Sequence, residues 1–151
     1  MPATATHHLL LADDDVHVRD AIASVFRMEG MDVSTAADGR EALYALRTEP
    51  RPCLILLDLD MPGMDGWEFR RRQLLWPAMA TIPVVVVSGQ PEVKEATGAL
   101  KARAVLAKPV KVECLLRVVD GHCAHADPEA GARRLRLART QARSLASASR
   151  N

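Results

Sequence analysis

The chain has 151 residues, 48% of them hydrophobic and 26% charged, which suits one soluble globular domain with a real core, with or without an appendage. No apolar run approaches the ~20 residues of a membrane-spanning helix, and the N-terminus lacks the charged-then-apolar pattern of a secretory signal. The net charge of +1 hides an asymmetry: from Asp127 onward two acids face six arginines, so a mildly acidic body precedes a basic tail. Cys53, Cys114 and Cys123 show no CxxC spacing and read as reduced thiols of a cytosolic protein.

The pattern predicts strands alternating with helices. His7 to Ala12 reads as a first strand ending at Asp13-Asp14-Asp15, where Asp15 can cap a helix with Val18, Ala21, Ile22, Val25 and Phe26 on one face, stopping at Gly30. Asp32 to Thr35 is a short second strand. Asp38 and Glu41 have capping-box spacing and open a helix to Thr48. Cys53 to Leu57 is a third strand. It is wholly aliphatic after its first residue, as expected of a strand buried on both faces. Pro62-Gly63 supplies a turn, and Asp65 with Glu68 repeats the capping spacing before a helix to about Trp76. Ile82 to Val87 is a fourth buried strand, Pro91 opens a short helix to about Ala99, and Arg103 to Ala107 is a weaker fifth strand. Pro109 introduces a last helix to about Ala124. Five such β-α units imply a parallel sheet with helices on both faces.

In an open α/β sheet, ligands bind beyond the carboxyl ends of the strands. Four of the five predicted strands end in reactive polar residues: Asp13-Asp14, Asp58, Ser88 and Lys108. Clustered carboxylates repel unless a cation intervenes. Hard oxygen ligands suit Mg²⁺, which commonly takes one or two carboxylates, waters and a phosphate oxygen. Lysine and serine add donors for that phosphate. The set fits phosphoryl chemistry, with Asp58 a candidate nucleophile forming an aspartyl phosphate.

Leu9 to Asp15, Leu54 to Gly66 (LILLDLDMPGMDG), Val84 to Gly89 and Leu106-Ala107-Lys108-Pro109 together resemble the receiver domain of two-component response regulators, over roughly residues 7–124. The resemblance implies a flavodoxin-like doubly wound sheet of order 2-1-3-4-5. It implies that Asp58 accepts a phosphoryl group from a phosphohistidine on a sensor histidine kinase or histidine phosphotransfer protein. Asp14 and Asp58 would bind Mg²⁺ directly and Asp13 mainly through water, with the backbone carbonyl of Asp60 completing the site. Ser88 would hydrogen-bond one phosphoryl oxygen and Lys108 neutralise another, and the Lys108-Pro109 bond would be cis. The implied protein is a cytoplasmic signalling domain, not an enzyme, with at most slow self-phosphorylation and autodephosphorylation. Its downstream target would be a protein.

Two features depart from the family pattern. Val105 stands three residues before Lys108, where a tyrosine or phenylalanine ring usually swings, and the interval from Ser88 to Lys108 is shorter than usual. Phosphorylation is therefore expected to be transmitted by a reduced or different movement. Residues 1–126 are assigned to the receiver and 127–151 to a basic tail of helical spacing, too short for a DNA-binding effector. Two other readings compete. One is a degenerate receiver acting only as a binding module. The other is a phosphatase using Asp58-Leu59-Asp60 as an Asp-x-Asp nucleophile motif, which explains neither Asp13-Asp14 nor Ser88 and Lys108.

Overall fold

Runs of consecutive aliphatic residues become strands here because a parallel sheet can bury them on both faces at once. The computed structural model describes residues 7–89 and 98–123. Its five strands are β1 (His8–Ala12), β2 (Asp32–Ala36), β3 (Leu54–Asp58), β4 (Val84–Ser88) and β5 (Ala104–Ala107). All pairings are parallel and the order is β2-β1-β3-β4-β5, as the resemblance implied. Leu57 lies opposite Ala12, Asp58 opposite Val87, and Ser88 opposite Ala107. That register brings the residues at the strand ends to one rim.

The three central strands carry the core. Leu9, Leu10 and Leu11, Leu54 to Leu57 and Val84 to Val87 are all buried. Each such side chain is worth roughly 1.5–3 kcal/mol when fully removed from water. Alternate residues serve opposite faces: Leu10, Ile55, Leu57, Val84 and Val86 join Ala42, Leu46 and Phe69 in one cluster. Up to Pro109 the chain forms one compact unit, and Val110 onward forms a second. The first contains α1 (Val16–Met28), α2 (Gly39–Thr48) and α3 (Gly66–Leu75). The second contains α4 (Val112–Cys123), with Leu115, Leu116 and Val119 buried.

The predicted caps form, with one variation. Asp15 Oδ1 accepts from the amides of His17 and Val18, at 3.0 and 3.3 Å. Asp38 Oδ1 accepts from Glu41 N at 2.8 Å, while Glu41 Oε2 reaches back to Ala37 N at 2.7 Å. Asp65 Oδ1 likewise accepts from Glu68 N, but Glu68 turns outward to Arg71 and Arg72 and leaves its capping box half made. Strand limits move by one or two residues. Asp58 and Ser88 belong to the ladder, which continues past the last apolar side chain because pairing is a backbone property. Most of the predicted helix from Pro91 lies outside the described residues, as does the tail; residues 98–100 are helical.

Two details depart from sequence expectation. Arg70, in a run of three arginines, is buried. Its Nε donates to Leu100 O at 2.8 Å, its Nη2 to Lys101 O at 3.1 Å and its Nη1 to Gln73 Oε1 at 2.8 Å. Burial holds this guanidinium below its usual pKa, and neutral oxygens satisfy its donors while fixing the approach to β5. The thiols also differ from expectation. Cys53 is disulfide-bonded, and in the second unit so is Cys123, while Cys114 is free and exposed. The reading of three reduced thiols therefore fails, since a cysteine's spacing in sequence does not settle its bonded state.

Gly66 presses the start of α3 against the end of β3. Its amide donates to Leu59 O at 3.0 Å. A Cβ there would collide with the Asp58 carbonyl oxygen and stand 2.7 Å from Leu59 Cα. Both obstacles are main chain, so neither can rotate aside. Gly66→Ala is expected to destabilise the protein by about 2 kcal/mol, within the usual range for overpacking, measured as a shift in urea midpoint. An unchanged midpoint would show that α3 can slide.

Candidate functional site

The rim formed by the strand ends is acidic, and one lysine crosses it. Asp13 follows β1, Asp58 and Ser88 close β3 and β4, and Lys108 follows β5. Asp13, Asp58 and Ser88 are only 2%, 4% and 3% exposed, whereas Asp14 is exposed. Lys108 Nζ donates to Asp13 Oδ2 at 3.0 Å and to Asp58 Oδ2 at 3.1 Å. The other oxygens of these two carboxylates bind the main chain: Asp58 Oδ1 accepts from Asp60 N at 3.1 Å, and Asp13 Oδ1 from Asp15 N at 2.9 Å. Lys108 N donates to Ser88 O at 2.9 Å. The Lys108-Pro109 peptide is cis.

An open pocket lies over this rim, lined by Asp14, Asp15, Asp58, Asp60, Met61, Pro62, Ser88, Gly89 and Lys108. The fold thus gathers Asp14, Asp58, Asp60, Ser88 and Lys108 around one pocket, and Asp13 joins them through Lys108. Carboxylate oxygens of Asp13, Asp14 and Asp58 lie within 4.8 Å of one another, a grouping able to hold a metal ion. Three hard anionic ligands with one exposed member suit a small divalent cation that keeps several waters.

Charge in the pocket is poised. Burial pushes the Asp58 carboxyl above its ordinary 3.8; the Asp60 amide and Lys108 oppose that, and the charge of Asp13 adds to it. For Lys108, burial favours the neutral amine, but hydrogen bonds and charge from Asp13 and Asp58 outweigh it and hold the ammonium above 10.5. Buried anions and a half-buried cation thus depend on one another. Sequence reasoning missed Arg19, whose Nη1 donates to Asp13 O at 2.8 Å. Its signal was a cation placed at the start of a helix, where the dipole favours an anion.

The architecture and rim define a class: doubly wound α/β proteins whose chemistry sits on carboxylates beyond the strand ends. Residues 9–120 match the response regulator receiver domain, and the chain belongs to that family. It is similar to an uncharacterised 14.6 kDa protein of Leptolyngbya boryana, 32% identical over 132 residues covering 86% of this chain and all of that one. It is also 32% identical over 128 residues to the DNA-binding response regulator MtrA of Mycobacterium tuberculosis, covering 83% of this chain but only 54% of MtrA. The chain thus spans about half the length of that relative. Among solved structures it resembles chemotaxis protein CheY4 of Vibrio cholerae, with TM-score 0.72, 31% identity and coverage of 78% of this chain and 99% of that one. The chain is a phosphoacceptor response regulator, a signalling domain of a two-component system and not a turnover enzyme in the ordinary sense. No helix among the described residues is long and apolar enough to cross a membrane.

A carboxyl whose pKa is higher folded than unfolded contributes stability below its unfolded pKa and loses it as pH rises through the folded value. Ionised Asp58 therefore weighs against the metal-free fold at neutral pH. With a chelator present, Asp58→Asn is expected to be more stable than wild type near neutral pH, by on the order of 1 kcal/mol. The difference should shrink as pH falls through the raised folded value of Asp58 toward the ordinary 3.8, as the wild-type carboxyl takes up its proton. Urea unfolding across that range tests this; a destabilised variant at neutral pH would mean that the Lys108 pair outweighs burial.

Proposed function

We propose that Asp58 is the phosphoacceptor of this receiver, served by Mg²⁺ and by Ser88 and Lys108. The observation that carries the reading is the buried Asp58 carboxylate, 3.1 Å from Lys108 Nζ and grouped with the carboxylates of Asp13 and Asp14. Asp14 and Asp58 would hold the metal directly, Asp13 mainly through water, and the Asp60 carbonyl would complete the set. When bound, the ion supplies charge neutralisation for incoming phosphoryl oxygens. The protein's own residues do the rest. An Asp58 oxygen bonds to phosphorus as the bond to the donor imidazole breaks, Ser88 Oγ donates to one phosphoryl oxygen, and Lys108 Nζ neutralises another.

The donor in this reading is a phosphohistidine of a sensor histidine kinase or histidine phosphotransfer protein, and the output is a protein contact. Self-phosphorylation from small donors and autodephosphorylation are at most slow in this reading. A cytoplasmic location follows from the donor's chemistry; the cysteines no longer argue for it. Residues 1–126 are assigned to the receiver and 127–151 to a basic appendage. Val105 lies in register with Val86 and packs on the core as an aliphatic without a ring to swing. We therefore place the readout in a reduced or different movement.

Incubation with acetyl phosphate and Mg²⁺ should add one phosphoryl group, detected by intact mass. The adduct should be lost in Asp58→Asn and fall at least tenfold without the metal, as expected from losing a major electrostatic contribution. A wild type that never labels would favour the binding-module reading, and turnover of a small phosphoester the phosphatase. For the readout, amide exchange with and without beryllofluoride is expected to change little over β5 (Ala104–Ala107). A large protection change confined to that strand and the segment before it would count against the altered movement.

A further inference from the structure

Arg19 occupies the first turn of α1, a turn that contains no acid. Aligned peptide dipoles make that end of a helix a poor place for a cation, so the position calls for a compensating contact. The contact is specific: Nη1 of the half-buried side chain donates to the carbonyl oxygen of Asp13 at 2.8 Å. Asp13 is then held at every polar atom. Its amide donates to Ala36 O at 3.0 Å, and its carboxylate accepts from Asp15 N and from Lys108 Nζ.

The oxygen that Arg19 grips belongs to the peptide joining Asp13 to Asp14, and a peptide is planar. Fixing that oxygen also fixes the amide and Cα of Asp14. Among the described residues no hydrogen bond is made to the Asp14 carboxylate, and the residue is exposed. Its direction is therefore set through the main chain alone. We propose that Arg19 is a positioning residue for the divalent cation: by clamping the Asp13-Asp14 peptide it presets the Asp14 carboxylate toward the ion shared with Asp58. This rests on the Mg²⁺ reading above.

Two effects of Arg19 oppose each other, which makes the idea sharp. As a charge near the rim it repels Mg²⁺; as a clamp it organises a ligand. Titration calorimetry of the full chain with Mg²⁺ separates them. Arg19→Met should bind Mg²⁺ about tenfold more weakly, the scale expected for losing a support behind a metal ligand. Arg19→Lys, which keeps charge and one donor but not the planar fork, should fall between. Thermal melting in chelator should leave both variants close to wild type, which a merely structural role would not. Affinity in Arg19→Met equal to or tighter than wild type overturns the proposal while leaving the metal reading intact. If wild type shows no saturable binding, the metal reading itself fails and this inference with it. Should Arg19→Met not melt cooperatively, Arg19→Lys decides: weaker binding supports the clamp, and unchanged binding overturns it.

Discussion

The contact on which the structure most depends is the one between Lys108 Nζ and the carboxylates of Asp13 and Asp58. The three groups come from the ends of β1, β3 and β5, separated by 95 and 50 positions in sequence. Two nearly buried anions at adjacent strand ends would be costly alone, because desolvation and mutual repulsion act in the same direction. One ammonium between them offsets both. The same arrangement leaves charge incompletely balanced, since Asp58 remains harder to ionise than a free aspartate. A site in that state gains from a further cation.

Precision at this rim comes from the sheet. Ladder pairing extends through Asp58 and Ser88, so both residues are fixed by backbone hydrogen bonds rather than by loops. The loop after β3 is held at both ends. Gly66 rests on the Asp58 peptide, and Gly39 N donates to Met64 O at 2.8 Å, at an approach too close for a Cβ. Asp60 between them can thus keep its amide on Asp58. The exposed Asp14 differs, because only its main chain is fixed. In the proposed reading, buried Asp13 and Asp58 with the exposed Asp14, held through its main chain, would make a site able to admit and release a hydrated ion.

Much of this was legible in the sequence, for identifiable reasons. The aliphatic runs at Leu9, Leu54 and Val84 could only be doubly buried strands, and the reactive residues behind them had to share a rim once the sheet was parallel. Caps at Asp15, Asp38 and Asp65 followed from spacing. What stayed hidden depended on contacts distant in sequence. Nothing local distinguishes Arg70 from Arg71 and Arg72, yet only Arg70 meets the carbonyls of Leu100 and Lys101. Glu68 has capping-box spacing, and the nearby arginines take it instead. The bonded state of Cys53 and Cys123 likewise has no local signature.

Capture and readout separate physically in this molecule. In the proposed reading capture needs the rim, where acids, a serine and a lysine stand together. Readout needs an element with two arrangements of similar energy, because a ligand can shift an equilibrium only by its differential affinity for the two states. Val105 is β-branched, half-buried and packed on the core cluster, with no ring to swing. Arg70 adds a second constraint by tying the carbonyls of Leu100 and Lys101 to α3. In the proposed reading, Arg70 and Val105 hold the approach to β5, so a partner that senses a phosphoryl group on Asp58 would read the rim itself.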